Sequence, residues 1–381
     1  LRIALITYRY SEHGGGVEGY VSRLTKGLLD RGHEVHVFSH RIDSPPPVDA
    51  TLHRVPAASF YSALGVLGFA YNSAAMLRQD NGYDIINGFG RCFYQDVFRV
   101  GGGVHREYLL QTKASMHNPF LRTLHRLNPV NMAVNHVEEK TFSPSRYRRI
   151  ICNSKTGKSE IMRYYQVPED KVRVVYNNVD SDRFTPDIRS KWREEYRQQC
   201  GAGEDELLAL FVGHGTRRKG IDTALKVVER VCRNLPLRLA VVGRCDGRYM
   251  SQAKRSNLPV EFLGAQQNVE RFYAAADFML FPTRYEGFSN ACMETMASGV
   301  PLITTNRSGV HEIIDDGNDG LVVENYESVD DFVEKVQLLE NGERRRQMGE
   351  AARAKVSTFT AGRNLDETES VYREILKEKE D

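Results

Sequence analysis

Two groups of charged residues in the second half of the chain have types and spacing suited to a substrate that carries both phosphate and hydroxyl groups. Arg217, Arg218 and Lys219 are consecutive and framed by Gly213, Gly215 and Gly220. Arginine offers a planar fork of donors and lysine a compact point charge, so both can gather on one diphosphate. Glu286 and Glu294 bracket the run Gly287-Phe288-Ser289-Asn290-Ala291-Cys292-Met293. A carboxylate accepts well from a pair of vicinal hydroxyls, as on a ribose or a hexose. Either feature alone has a plain explanation, a surface turn for one lysine and an acidic helix start for two glutamates. Two arginines and a lysine set among glycines favour an oxyanion clamp.

The surrounding sequence supplies elements able to present these groups. Residues 278–281 form a short apolar run suited to a buried strand, which Pro282 ends. Ser289 is the expected N-cap of a helix reaching Ser298, with Gly299 as its left-handed stop and a strand over 300–304. In such a unit the loop after the strand faces the ligand crevice, and the first helical amides point at it. The cations lie likewise between an expected strand at 207–212 and a helix over 222–231. Two more strand ends follow, at 238–242 with Gly243 and Arg244, and at 260–264 with Gln266 and Gln267.

Glu286 and Glu294, embedded in Glu-Gly-Phe-Ser-Asn and Glu-Thr-Met-Ala-Ser-Gly-Val-Pro, resemble the signature of retaining glycosyltransferases of family 4, which have the GT-B fold. The likeness covers nearly the whole chain, is strongest over 206–325, and extends to the enzymes that glucosylate the lipopolysaccharide core. It implies an α/β architecture of two Rossmann-like domains facing each other across a cleft. It further implies that Glu294 holds the ribose hydroxyls of a nucleotide-sugar donor and that Glu286 lies against the transferred sugar. The backbone at Gly287, Phe288 and Ser289 would then meet sugar and diphosphate, Arg218 and Lys219 would clamp the diphosphate, and Arg244 and Gln266 would lie at the nucleobase.

The first half opens with a strand over 2–7, the glycines Gly14, Gly15 and Gly16, a helix over 17–30 and a strand over 35–38. That is a Rossmann-like start. Gly14, Gly16 and Gly19 match a dinucleotide fingerprint in spacing, yet the loop is long and no acidic residue ends the second strand, so NAD is a poor fit. The resemblance brings Gly15 and Gly16 to the sugar and diphosphate instead. Further strands are expected at 51–55, 85–87, 98–100, 149–152 and 172–176, giving an open α/β sheet. After the third of these, Gly101-Gly102-Gly103 leads to His105, placed by the resemblance beside the donor sugar. Residues 106–126 are basic and aromatic, a solvated helical face or a landing surface for an anionic acceptor or membrane leaflet. Two decoys are set aside. Ser154 to Ser159 ends like a P-loop but has Cys152 where the first glycine belongs, and Asp180-Ser181-Asp182 lies in what resembles the family's inter-lobe linker.

A chain of 381 residues suits two domains, expected as 1–183, completed by a final helix from 361 to 381, and 184–360. The formal charge of +2, from 52 basic and 50 acidic residues, argues against a bulk nucleic-acid binder. Cysteines 92, 152, 200, 232, 245 and 292 occur singly, which fits a reducing cytoplasm. The opening Leu1-Arg2-Ile3-Ala4-Leu5 turns polar too soon for a signal peptide. Residues 55–77 carry no charge but include Pro56 and several glycines and serines, so a buried helix is expected there, not a span. The expectation is a metal-independent hexosyltransferase without a cofactor, its donor a UDP-hexose and its acceptor a cell-envelope glycan or glycolipid. It would work in the cytoplasm, with peripheral contact to the inner face of the membrane. A soluble sugar acceptor, a GT-B epimerase and a noncatalytic nucleotide-sugar-binding subunit are the alternatives.

Overall fold

The computed structural model describes residues 1–12, 16–58, 62–80, 82–114, 128–214 and 217–380, with the side chains of 112–114 excepted. It divides into two compact units, Leu1–Asn177 with Ala361–Asp381, and Asn178–Thr360. Residues 178–183, read from the sequence as the end of the first domain, therefore group with the second.

The first unit holds, among the described residues, a seven-stranded sheet. Its strands are β1 (Arg2–Tyr10), β2 (Glu34–Ile42), β3 (Thr51–Arg54), β4 (Ile85–Gly88), β5 (Val97–Val100), β6 (Arg149–Cys152) and β7 (Val172–Val174). They lie in the order β3-β2-β1-β4-β5-β6-β7, and every pairing is parallel. Parallel strands need crossovers that cover both faces, which is why β4, β5 and β6 are buried along their whole length, polar Asn87, Arg99 and Arg149 included. The helix Ala63–Gln79 fills the uncharged stretch: Val66, Phe69, Ala70, Ala74 and Leu77 are buried, whereas Leu64 and Tyr71 face solvent. Among the described residues no helix is long and apolar enough to cross a membrane. The last helix, Ala361–Glu380, seals one face of this unit with Leu365, Val371, Tyr372 and Ile375, packed among Leu5, Leu24, Val37 and Ile85. Tyr372 reaches Asn87 on β4 through a 2.7 Å hydrogen bond from the amide, buried at both ends.

The second unit holds a six-stranded sheet among the described residues. It comprises β8 (Leu207–Val212), β9 (Leu237–Val242), β10 (Val260–Gly264), β11 (Phe278–Leu280), β12 (Leu302–Thr305) and β13 (Leu321–Val323). The order is β10-β9-β8-β11-β12-β13, again parallel throughout. The order reverses between β8 and β11, and a crevice at such a reversal is where open α/β sheets bind ligands. The expected strand after Gly299 starts two residues late, at Leu302, because Pro301 has no amide to give a ladder. The Ser154 to Ser159 segment is simply a helix start, Ser154 capping Gly157 N in the helix Lys155–Tyr165. Asp180 closes a turn, accepting from the amides of Asp182 and Arg183.

One buried carboxylate anchors the lower end of the second sheet. Asp277, immediately before β11, accepts from Arg193 (2.6 Å), Arg197 (2.9 Å) and the Leu208 amide (2.8 Å). Burial alone would raise its pKa, but the two arginines and the amide outweigh that and hold it below the ordinary carboxylate value. A depressed carboxylate pKa stabilises the fold above its unfolded value, and the contribution fades as pH falls through the folded value. Replacing Asp277 by Ala leaves two guanidiniums uncompensated and is expected to cost about 3–5 kcal/mol. Urea denaturation at neutral pH measures this loss, and the gap between Asp277→Ala and the parent chain should narrow as the pH is lowered below the carboxylate range.

Candidate active site

The cation turn is fixed by contacts that its own sequence does not announce. Arg217–Lys219 form a single 3-10 turn after β8, and Gly220 caps the following helix Ile221–Val231 with φ at +80°. A Cβ at Gly220 would lie 1.8 Å from the Pro282 carbonyl oxygen, so no other residue fits. The turn is then tied down from the far side of the crossover. The Arg284 amide and the Thr283 hydroxyl both donate to the Arg218 carbonyl, at 2.8 and 3.1 Å. The Arg284 guanidinium donates to the Arg217 carbonyl at 2.5 Å and forks onto Asp222 at 2.6 and 3.0 Å. Asp222, Thr283 and Arg284 thus position the turn. Their residue types carry no signal of this in the sequence, since the partners lie more than sixty positions apart.

With the backbone held, the charges meet. Arg218 donates to Glu286 at 2.8 Å and to the Tyr285 carbonyl at 2.8 Å, and Lys219 lies 3.5 Å from the same Glu286 oxygen. Burial works to raise the Glu286 pKa, but the Lys219 and Arg218 charges prevail and lower it, so the group is ionised at neutral pH. The Glu286 backbone is itself pinned, its amide donating to the Arg307 carbonyl and its carbonyl accepting from the Gly309 amide. The His214 imidazole is pushed down by burial and by the charges of Lys219, Arg244 and Arg218, which brings exposed Arg244 within Coulombic reach of the cluster. Gln266 spends its side-chain amide on the Leu263 carbonyl at 2.6 Å.

Ser289 caps the helix Asn290–Ala297, its hydroxyl accepting from the Cys292 amide, and Gly299 ends the helix turn at φ +67°. Gly287, Phe288 and Ser289 are buried, so this loop is built in, not draped. Glu294, on the same helix, accepts from the Tyr273 hydroxyl at 3.0 Å. Tyr273 is fully buried on the neighbouring helix Val269–Ala275, and burial with the Glu294 charge keeps its phenol protonated. The buried Cys292 thiol is raised to about 12, chiefly by burial, while Ser289, Lys219, Glu286 and Glu294 all act on it. The site gathers Arg218, Lys219 and Glu286 just ahead of a helix start, an arrangement able to neutralise a diphosphate and to accept from hydroxyls.

The remaining sequence candidates belong to the first unit. Gly16 caps the helix Val17–Asp30, and Gly15 lies outside the described residues. His105 starts the helix His105–Ala114, where its amide and that of Arg106 donate to Glu138 at 2.7 and 3.2 Å, and Tyr165 donates to the same carboxylate. Glu138 was not legible as a partner, standing 33 positions away on another helix. Of the basic stretch, residues 106–114 are described, and residues 115–126 lie outside the described residues.

Comparison with known proteins agrees with this architecture. The model described as Glycosyltransferase Family 4 matches residues 14–183, and that described as Glycosyl transferases group 1 matches residues 192–355. The lipopolysaccharide glucosyltransferase WaaG of Escherichia coli is 24% identical, over 84% of this chain and 84% of its own. The crystal structure of WaaG, a glycosyltransferase involved in lipopolysaccharide biosynthesis, superposes with a TM-score of 0.82 at 23% identity, covering 96% of this chain and 98% of that one. A D-inositol 3-phosphate glycosyltransferase of Corynebacterium aurimucosum is 24% identical over 99% of this chain and 96% of its own. The structure of Anabaena HepE in complex with UDP-glucose gives a TM-score of 0.71 at 17% identity, over 97% and 99% of the two chains.

The tightest local constraint here is Gly220. Substitution by Ala must move the Pro282 carbonyl or the turn, and together with the positive φ is expected to cost about 2 kcal/mol or more. Thermal melting should show a lowered midpoint for Gly220→Ala.

Proposed function

We propose, from the premise that this chain belongs to the GT-B glycosyltransferases with a family 4 first domain and a group 1 second domain, that it moves a hexose from a UDP-linked donor to a hydroxyl of a cell-envelope glycan such as the lipopolysaccharide core, with retention of anomeric configuration. The observation that carries the reading is the convergence of Arg218 and Lys219 with Glu286 beside the helix that Ser289 caps. Breaking the sugar–phosphate bond leaves negative charge on the nucleoside diphosphate and positive character on the ring. Preset cations and helix amides stabilise that leaving group where the charge forms, each such donor contributing on the order of 3 kcal/mol.

In this reading Arg218 and Lys219 take the diphosphate and do the work a divalent cation would otherwise do, so the reaction needs no metal and no cofactor. Glu294, oriented by Tyr273, accepts from the ribose hydroxyls. Glu286 exchanges part of its pairing with Arg218 for the hydroxyls of the hexose and orients the ring. The amides of Gly287, Phe288 and Ser289 complete the cradle, and Arg244 and Gln266 border the base. The departing phosphate oxygen takes the acceptor's proton on the same face, so no protein base is invoked. UDP as carrier is supported by the UDP-glucose complex of a protein with this fold. The envelope acceptor is supported by the likeness to WaaG, and with it a place at the cytoplasmic face of the membrane, touched peripherally through the basic residues after His105. The D-inositol 3-phosphate relative favours a second reading, a soluble phosphorylated polyol or sugar as acceptor.

Lys219→Ala and Glu294→Ala are each expected to lower kcat/KM for transfer at least about tenfold, one charged contact being worth roughly 1.5–3 kcal/mol. Release of UDP from UDP-glucose in the presence of acceptor measures this, and full activity in both variants would overturn the assignment. The same assay in excess EDTA should run at an unchanged rate. Donor consumption without acceptor would instead mark an epimerase, and affinity without UDP release a binding subunit.

A further inference from the structure

A second concentration of arginine lies in the second unit, lining a cavity of about 480 Å³ that contains none of the residues discussed for the donor. Its origin is visible in two helices. In Arg189–Gln199 the residues Arg189, Arg193 and Arg197 recur every fourth position and form one stripe. In Gly342–Val356, Arg345 and Arg353 share a face across Gly349, whose missing side chain lets the helix approach the Gly299 carbonyl, 2.1 Å from where a Cβ would stand. Arg189, Arg193, Arg345, Arg346 and Arg353 all line the cavity, against the two carboxylates Asp277 and Glu350.

Those carboxylates are already spoken for. Asp277 serves Arg193 and Arg197 and is 3.8 Å from Arg189, and Glu350 is held by Arg346 at 2.7 Å. Arg345 donates to the carbonyls of Leu339 and Glu340, Arg353 to those of Ser181, Phe184 and Ala297, and Arg189 to that of Ala276. Carbonyl oxygens satisfy donors but do not neutralise charge, and like charges four apart on a helix repel. Burial and the neighbouring charges of Arg193, Arg197 and Arg345, only partly opposed by Asp277, depress the Arg189 pKa to about 10. An adjoining hollow of about 800 Å³ shares Arg189 and Arg193 and adds Arg197, against Asp187, Glu194 and Glu204, so its charges balance. Of the two, the smaller cavity keeps a surplus.

We infer that this cavity is a binding site for a phosphate-bearing small molecule, held by Arg189, Arg345 and Arg353 and separate from the donor site. Guanidinium forks match phosphate oxygens in pairs, and the volume lies in the range of about 300–1,000 Å³ typical of small-molecule sites, more than a bare phosphate fills.

The test is calorimetry on the full chain with the donor site saturated by UDP, titrating inorganic phosphate and, separately, ribose 5-phosphate. One saturable site is expected. Tighter binding of ribose 5-phosphate identifies a phosphate ester as the ligand, and equal affinity identifies free phosphate. Arg345→Gln should weaken binding at least about tenfold, the loss of one charge-assisted fork, and leave UDP affinity unchanged. Arg189→Lys, which keeps the charge and loses the fork, serves as the second variant should Arg345→Gln not fold. Lys219→Ala, which is expected to lose UDP, should bind phosphate as the parent chain does. Absence of saturable binding, affinity unchanged in the arginine variants, or loss of phosphate binding in Lys219→Ala overturns the inference. The last two outcomes leave the donor-site reading standing.

Discussion

The close approach of Gly220 to the Pro282 carbonyl is the constraint on which the candidate site depends. It presses the turn that follows β8 against the segment that follows β11, two strands that are neighbours in the sheet. Once the backbones touch, Thr283 and Arg284 can reach the carbonyls of Arg217 and Arg218, and the two cations have one direction left to point. Glu286 stands there. The site is thus a consequence of sheet order: the reversal between β8 and β11 opens the crevice, and the side-chain-free position at Gly220 lets the segments that follow those two strands touch.

The charge arrangement follows the same economy. The Glu286 carboxylate holds Arg218 and Lys219 in place, and their field keeps it ionised. A diphosphate entering such a site meets donors already oriented, which spares the reorganisation that water would require. Asp277 performs a comparable service at the opposite ends of the same strands, gathering Arg193 and Arg197 under the start of β11. The second domain therefore carries cations at both ends of its sheet, Arg193 and Arg197 paired with Asp277 at the lower end and Arg218 and Lys219 with Glu286 at the upper.

Much of this was legible in the sequence, for reasons that can be named. β8 and β10 fall within the limits read from their apolar runs, Ser289 caps the helix as its type suggests, and Gly299 stops it in the left-handed region. These are local signals, each fixed by side chains within a few positions of one another. Arg218 and Lys219 stand out in the sequence because their charges lie among glycines, whereas Glu286 is singled out by its place in the signature the sequence resembles. What was not legible is what holds them. Arg284 and Asp222 carry no local signal of a role, and only the pairing of β8 with β11 makes them partners. Tyr273 beneath Glu294 and Glu138 beneath His105 are hidden for the same reason: each acts across a distance in the chain that no local pattern spans. The arginine-lined cavity is a further case, since its two stripes lie on helices that meet only through the fold.

The most direct measurement of the central claim is a crystal structure with UDP bound. The account predicts the diphosphate within hydrogen-bonding distance of Arg218 and Lys219 and of the amides that begin the helix Asn290–Ala297, with the ribose hydroxyls on Glu294. A diphosphate found away from both the cation turn and that helix start, with Arg218 still paired only to Glu286 and Tyr285, would contradict it.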